Sequence, residues 1–216
     1  MKEATKKVRA HTRYTLEDRT RVPGVTTIVD GLGWNKRTLI NWSNRIGLEG
    51  IEVSKFVDDK AAIGTLAHAL ITDKLLGKET DTSDYTKNQI DLAENSALSF
   101  WEWEKGHKLE PVIIEEPLVS EEHKFGGTLD IYGELDGVFE IIDLKSGSGI
   151  YPEHLIQVAA YKLLLKEKEL DVKAIRILNI PRTEDEQFQE KKLIRTDVHE
   201  KIFLNCLSNY YLKKQI

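Results

Sequence analysis

Residues 141–147 (IIDLKSG) constrain the chain more than any other stretch. Two large apolar residues lead directly into Asp143, Lys145 follows two positions later, and a Ser-Gly turn signal ends the pattern. Alternate residues of a strand point to the same face, so the segment predicts a strand end with a carboxylate and an ammonium group side by side. Such a pair can hold a metal ion next to a cation that contacts a phosphate, although solvated strands often carry the same triplet.

A second carboxylate is expected beside Asp143. Residues 128–132 and 138–144 have the composition of strands, and the glycine-bounded segment 133–137 predicts a hairpin turn between them. Asp130 lies on the first of these strands, and side chains on neighbouring antiparallel strands come close enough to share one ion. Two carboxylates suit Mg²⁺ or Mn²⁺. Each aspartate alone is better explained as a turn or strand-edge residue, and their combination with Lys145 favours a metal site.

Three other stretches offer polar side chains to the same region. His68 lies one helical turn after Gly64, where the glycine leaves room for an ion, a water molecule or a backbone to approach. Gln157 interrupts an apolar helical pattern, and Tyr161 lies on the same face four residues later. Glu116 is a supporting candidate. Without residues 143–145, a simple helical histidine and a satisfied core glutamine would be the better interpretations.

The rest of the chain alternates between helical and extended patterns. We expect helices over about 35–45, 51–76, 83–105, 152–168 and 197–213, and strands over 111–119, 128–132, 138–144, 172–180 and 188–194. Asn35 and either Ser83 or Asp84 are candidate N-caps, and Gly77 is well placed after a helix end. This order predicts an α/β or α+β fold in which helices flank a central mixed sheet.

Length and composition set the class of protein. With 216 residues, the chain is expected to form a single domain over 1–216, with a basic N-terminal segment and helices in 1–109 and a sheet-bearing catalytic core in 110–216. No apolar run is long enough for a membrane span, and no apolar segment of a signal peptide follows the N-terminus. Cys206 is the single cysteine, which excludes an internal disulfide and a four-cysteine iron–sulfur cluster. We expect a cytoplasmic protein.

The charge distribution is uneven. Net charge is −5, but residues 1–50 carry ten Lys and Arg against five Asp and Glu, whereas the remainder carries 21 against 31. The basic side chains are interleaved with aromatic ones, a pattern typical of surfaces that contact phosphates. We expect DNA contacts from Arg9, Arg13, Trp34, Lys36 and Arg37; a solvated basic face is the plainer alternative.

Four motifs together resemble the PD-(D/E)XK nuclease superfamily and, within it, the RecB-like branch with its phage-type exonucleases. Their order and spacing are similar to that branch over roughly residues 60–180, and residues 22–28 (VPGVTTI) look like the opening segment of its phage-type members. The motifs are GTLAH ending at His68, GTLD ending at Asp130, DLK over 143–145, and QVAAY from Gln157 to Tyr161.

The resemblance implies a restriction-endonuclease-like core and metal-dependent cleavage of DNA that leaves a 5′-phosphate. It implies that His68, Asp130, Asp143 and the backbone carbonyl of Leu144 bind the metal and that Lys145 is the catalytic lysine. Gln157 and Tyr161 would support the site. Some members carry an iron–sulfur cluster on four cysteines, which this chain cannot form, and no helicase motifs accompany the nuclease motifs.

We therefore expect a DNA exonuclease that uses Mg²⁺, with Mn²⁺ able to substitute, in phage or bacterial recombination or repair. DNA is the expected partner, and an annealing protein, a helicase and a second copy of the chain are candidate protein partners. Three alternatives stay open: a structure-specific or site-specific endonuclease, a catalytically silent DNA-binding module, and a small-molecule metallohydrolase. Sequence leaves open the polarity of cleavage and the preference for single or double strands.

Overall fold

A five-stranded mixed sheet forms the centre of the structure, a computed structural model that describes residues 12–216. The sheet order is β3-β4-β5-β6-β7, and only β5 and β6 run parallel. The strands are β3 (Leu109–Ser120), β4 (Phe125–Leu135), β5 (Val138–Lys145), β6 (Ala174–Asn179) and β7 (Gln189–Leu193). This architecture confirms the prediction of a mixed α/β fold.

Helices cover both faces of the sheet. They are α1 (Val25–Val29), α2 (Lys36–Leu48), α3 (Val53–Leu75), α4 (Lys87–Glu104), α5 (Pro152–Glu167) and α6 (Asp197–Lys213). One apolar core lies between the sheet and α1, α5 and α6, and a second lies between the opposite face and α3 and α4. Ile141 belongs to the first core and Ile142 to the second, as the period of two in a strand buried on both faces requires.

The β4–β5 hairpin sets the register of the predicted carboxylates. Its turn is Asp136-Gly137, both with positive φ (52° and 84°), as a two-residue hairpin turn of the favoured hand requires. The turn is shorter than the predicted segment 133–137 because β4 continues to Leu135. The paired register ends at Ile131 opposite Ile142, so one further step brings Asp130 and Asp143 level with each other.

Strand β4 changes its alternation at Asp130. Leu129 and Tyr132 belong to the core under α5, whereas Ile131 belongs to the core under α3. A regular strand would place residues 129 and 131 on one face. The irregularity coincides with Asp130, whose carboxylate accepts a hydrogen bond from the backbone N–H of Leu144 (2.8 Å) where the backbone ladder to β5 has ended.

A small N-terminal hairpin, which sequence analysis missed, packs on the start of β4. Its strands β1 (Tyr14–Thr15) and β2 (Arg21–Val22) pair antiparallel, and the N–H of Gly126 donates to the carbonyl of Pro23 (3.0 Å). A Cβ on Gly126 would come within 2.3 Å of the Tyr14 ring, so the glycine is needed for this contact. The Tyr14 hydroxyl hydrogen-bonds the Thr128 hydroxyl (3.0 Å).

Two of the predicted caps are corrected by the structure. Asn35 precedes α2, but its amide donates to Glu153 (2.5 Å) instead of capping the helix. The N-cap of α4 is Thr86, whose hydroxyl accepts from the N–H of Gln89 in a capping box, so neither Ser83 nor Asp84 has that role. Gly77 has φ 68° after α3, as expected of a residue beyond a helix end.

None of the helices described has the length and apolar character needed to cross a membrane.

Candidate active site

Asp130 is held by two contacts at the point where β4 and β5 separate. Its Oδ2 accepts from the N–H of Leu144, and its Oδ1 lies 3.3 Å from Nδ1 of His68 on α3. Burial raises the pKa of Asp130, but the charge and hydrogen bond of His68, the charge of Lys145 and the Leu144 N–H outweigh burial and lower it. The carboxylate is therefore held in its ionised form.

Asp143 is 1% exposed at the end of β5. It shares a face with Lys145, as the strand period predicts, and its Oδ2 lies 2.7 Å from the Lys145 Nζ. That distance defines an ion pair, and both side chains are largely buried, Lys145 at 19% and Asp143 at 2% exposure. Burying two charges is costly even when they are paired, and buried pairs of this kind are common at functional sites.

Asp143 and Asp130 titrate differently although they sit level on neighbouring strands. Burial raises the pKa of Asp143, Lys145 lowers it, and the negative charge of Asp130 raises it again, with a result of about 6. Each carboxylate therefore has its own cation, His68 for Asp130 and Lys145 for Asp143, and the charge of one resists ionisation of the other.

His68 reaches the sheet from the face of α3. Burial lowers the pKa of its imidazole, but the charge and hydrogen bond of Asp130 outweigh this and raise the pKa. A Cβ at Gly64 would come within 2.6 Å of the Ser146 Oγ, so the glycine lets the loop after β5 approach α3. The predicted close approach at Gly64 is thus made by Ser146.

Gln157 and Tyr161 form a hydrogen-bonded pair on α5. The Gln157 amide donates to the Tyr161 hydroxyl (2.7 Å), and the Tyr161 side chain is 4% exposed. Burial and then the charge of Asp143 raise the pKa of Tyr161 well above its ordinary value, so the phenol stays protonated. A Cβ at Gly127 would meet the Tyr161 ring at 2.6 Å, so the glycine before Thr128 makes room for this tyrosine.

The structure turns Glu115, not Glu116, toward α3. Glu115 has φ 49°, and its Oε2 accepts from the Thr72 hydroxyl (3.0 Å), one turn after His68. Glu116, the predicted supporting residue, is exposed and pairs across the sheet with Leu129. A positive φ is rare for glutamate, so no sequence signal would have distinguished these two residues.

His154 is a residue of this region that sequence analysis did not single out. The N–H of Tyr151 donates to its Nδ1 (3.2 Å), which leaves the ring proton on Nε2. Burial and then the charge of Lys145 lower the pKa of His154 to about 4, so the imidazole is neutral near pH 7. Its place in the first turn of α5, three residues before Gln157, is the signal that could have found it.

The predicted DNA-binding side chains that the structure describes are exposed and lie in two places, Arg13 just before β1 and the other three at the start of α2. Arg13, Lys36 and Arg37 are exposed, Trp34 is 53% exposed, and Arg9 lies outside the described residues. Helix α2 carries Lys36, Arg37 and Arg45 without an acidic residue, and only Ile46 of its 13 residues is buried. The helix therefore presents a basic surface with exposed apolar side chains.

The donor types at this site fit a hard divalent cation, but the candidate ligand side chains are not arranged around a single point. Carboxylates, an imidazole and backbone carbonyls are ligands for Mg²⁺ or Mn²⁺, and this region offers all three types of donor in Asp130, Asp143, His68 and the carbonyl of Leu144. Within residues 12–216, however, no group of three or more His, Cys, Asp or Glu side chains has an arrangement that could hold a metal. Asp130 contacts His68 on α3 (3.3 Å), while Asp143 lies on the face of Ile141 and pairs with Lys145 (2.7 Å).

No known protein family matches the sequence, and no curated protein matches it. Among solved structures, the fold is similar to the alkaline exonuclease LHK-Exo from Laribacter hongkongensis. A crystal structure with dAMP gives a TM-score of 0.45 at 10% identity, covering 89% of this chain and 87% of that one. A second LHK-Exo structure gives 0.35 at 15% identity, covering 70% and 83%. SSO0001 gives 0.32 at 12% identity, covering 68% and 84%.

Proposed function

We propose that this chain is a divalent-metal-dependent deoxyribonuclease that degrades linear DNA from an end. The observation that carries the proposal is the buried Asp143, whose Oδ2 lies 2.7 Å from the Lys145 Nζ on a strand next to the Asp130–His68 pair. Replacing such a group by an apolar one would stabilise a purely structural strand. A strand that keeps it next to the Asp130–His68 pair is well suited to hold a cation against a phosphate.

The residues divide between metal binding and phosphate binding. His68, Asp130, Asp143 and the carbonyl of Leu144 would hold Mg²⁺, with Mn²⁺ able to substitute; because these side chains are not arranged around one point in the described residues, binding would require them to move closer together. The metal would supply a bound water of lowered pKa and neutralise charge on the phosphate. Lys145, which pairs with Asp143, would stabilise the negative charge that develops on the phosphate.

Other side chains would position these groups. The Leu144 N–H fixes the Asp130 carboxylate, and Tyr161 stays a neutral phenol whose hydroxyl already accepts from Gln157. Because burial and Lys145 keep His154 neutral, its Nε2–H would donate to substrate without adding another positive charge near Lys145. Glu115 anchors the irregular part of β3 to α3 through Thr72.

End-dependent action is the preferred mode. The basic, partly apolar surface of α2 would contact the DNA backbone, which gives affinity without sequence information. A biological setting in phage or bacterial recombination or repair, an annealing protein or helicase as partner, and a homo-oligomer belong to this proposal. A structure-specific or site-specific endonuclease is the alternative within the same chemistry.

A second candidate is a catalytically silent DNA-binding module. It is favoured because, within the described residues, no three His, Cys, Asp or Glu side chains are arranged to hold one metal ion. A silent module would bind DNA equally well with Mg²⁺ and with EDTA, and would release no nucleotides. The nuclease requires the metal for cleavage although not for binding.

The discriminating experiment incubates purified protein and Mg²⁺ with end-labelled linear duplex, end-labelled single strand and covalently closed circular DNA. We expect progressive loss of label from linear substrates, survival of the closed circle, and no cleavage in EDTA. Discrete fragments from the circle would move the chain to the endonuclease alternative. Binding without any cleavage in Mg²⁺ or Mn²⁺ would favour the silent module.

A further inference from the structure

A cleft of about 690 Å³ opens beside Lys145, between α2 and the loop that joins β5 to α5. One wall is formed by α2 and the first half of α3, with Leu39, Trp42 and Phe56. The opposite wall is the serine- and glycine-rich segment 146–149 together with Tyr151. The volume is in the range of small-molecule sites, roughly 300–1,000 Å³.

The walls of this cleft combine aromatic rings with positive charge. The rings of Trp42 and Phe56 lie 6.0 Å apart, and the Lys60 ammonium lies 5.5 Å from the centre of the Phe56 ring. Lys60, Lys145 and Arg182 line the cleft, and the one carboxylate among its lining residues, Glu186, is bonded to Arg182. The cleft therefore has a net positive charge and an aromatic wall.

The cleft continues toward the metal-ligand candidates. A smaller neighbouring depression shares Lys60, Ser146 and Arg182 with it and extends to His68. One extended ligand could therefore lie along α3 from His68 past Ser146 and into the aromatic part of the cleft. A phosphate near Lys145 would have its neighbouring nucleotide in the cleft.

We propose that this cleft holds one unpaired nucleotide of a DNA strand, with its base against Trp42 and Phe56 and its phosphate toward Lys60 and Arg182. The proposal rests on the nuclease function proposed above and specifies its substrate as a strand that is single at this point. Aromatic side chains are suited to this role because every base has a face that can stack on them.

An unpaired strand fits these walls better than a paired one. The faces of a base inside a duplex are covered by its neighbours, so stacking on Trp42 requires a base that has left the helix. Duplex recognition uses groove edges and backbone, and would not need an aromatic wall behind the cations. Lys60 and Arg182 are placed to compensate a phosphate between the base and Lys145.

The test measures binding of a fluorescein-labelled oligothymidylate in EDTA, where no cleavage occurs, over a series of salt concentrations. Trp42→Ala should weaken binding about tenfold, the loss expected for one stacked base, and Trp42→Phe should restore most of it. Lys60→Gln should reduce the salt slope by about 0.7, the value for one phosphate contact with a single strand. Lys55→Gln is the matched control, because Lys55 is an exposed lysine on the same helix outside the cleft.

Unlabelled duplex of the same length, added as competitor, gives the second readout, and thermal melting identifies any variant that fails to fold. Wild-type affinity and salt slope in both Trp42→Ala and Lys60→Gln would overturn the subsite, as would duplex that competes as well as single strand. If the wild type binds through this cleft but does not cleave DNA in Mg²⁺, the subsite stands and the nuclease proposal fails. If it cleaves while both variants bind normally, the nuclease stands and the subsite fails.

Discussion

At the scale of single residues, the site consists of two carboxylates in unequal environments. Asp130 has a nearby imidazole and a backbone N–H, and its pKa is lowered. Burial and the charge of Asp130 raise the pKa of Asp143, the Lys145 ammonium lowers it, and the result is a pKa of about 6. The ionised form of Asp143 is therefore disfavoured, and a cation bound next to this carboxylate would stabilise it.

Asp143→Asn should leave the melting temperature of the metal-free protein unchanged or raise it above pH 6. The folded pKa of about 6 exceeds the ordinary value of 3.8, so the folded state binds the proton more tightly than the unfolded chain does. The contribution of Asp143 to stability is therefore largest at low pH and is lost as pH rises through 6. Asparagine avoids this loss, which is worth about 1.4 kcal/mol per pKa unit.

The pH dependence supplies the control for this prediction. Melting curves of both proteins in EDTA should show the advantage of Asp143→Asn at pH 8 and its decrease toward about pH 3, below the ordinary pKa of 3.8, where the wild-type carboxyl is largely protonated in both states. An advantage that does not vary with pH would mean that Asp143 is an ordinary solvated carboxylate.

His68→Ala should raise the Mg²⁺ concentration needed for DNA cleavage by roughly 10–100-fold, the scale on which altered metal environments affect affinity. The reason is that the imidazole would be one of about three side-chain ligands. Mn²⁺ should restore part of the activity because it binds the remaining ligands more tightly. The measurement is the rate of nucleotide release against metal concentration, and an identical titration for both proteins would assign His68 only to holding Asp130.

At the scale of elements, the glycines of β4 explain how α5 and the N-terminal hairpin reach the site. Gly127→Ala should lower the melting temperature by several degrees, because its Cβ would overlap the Tyr161 ring at 2.6 Å and crowd Val25 at 3.0 Å. Gly31→Ala is the control, since a Cβ there meets nothing within 4 Å. Equal melting temperatures for the two variants would mean that Tyr161 can move aside without cost.

Helix α2 is the element to test for DNA contact. Neutralising Lys36 and Arg37 should weaken DNA binding and reduce its salt slope by up to about one unit for each lost phosphate contact. The matched control neutralises Lys105 and Lys108, two exposed lysines in the α4–β3 connection that pair with nearby glutamates. An equal salt slope in both variants would assign the α2 residues to a solvated face.

The elements themselves were largely predictable, and the exceptions have physical causes. Helix α6 begins and ends where its pattern predicts, and Pro152 opens α5 as expected at a first helical position. The strands β1 and β2 are two residues each, too short to show any period, and they depend on Tyr14 packing over Gly24 and Gly126. Thr86 caps α4 because Gln89 completes a capping box, a pair that outweighs the nearer turn residues.

At the candidate site, the strand period is predictable from the sequence, and the local irregularities are not. Asp143 and Lys145 share a face because a strand has a period of two, and the structure bears this out. The change of alternation at Asp130 and the positive φ of Glu115 depend on how β3, β4 and β5 diverge under α3. Such tertiary effects leave no mark in the local sequence, so the sequence does not indicate which of Glu115 and Glu116 faces α3.

At the scale of the whole molecule, the site depends on both layers of helices. The α3 layer supplies His68 and, through Thr72, holds Glu115; the α5 layer supplies Gln157, Tyr161 and His154. Strand β5 lies between them and ends in Asp143 and Lys145. Under the proposed function, DNA would enter at this end of the sheet, along the cleft that α2 lines.

Under the proposed function, Asp143 and Lys145 are both required for metal-dependent cleavage of DNA. The most direct measurement is release of label from end-labelled linear DNA in Mg²⁺ by the wild type, Asp143→Asn, Lys145→Ala and the control Glu116→Gln, all with melting temperatures recorded. We predict that the wild type and Glu116→Gln degrade the DNA at similar rates, whereas Asp143→Asn and Lys145→Ala are inactive although folded. Near-wild-type cleavage by either of the latter two would contradict the account.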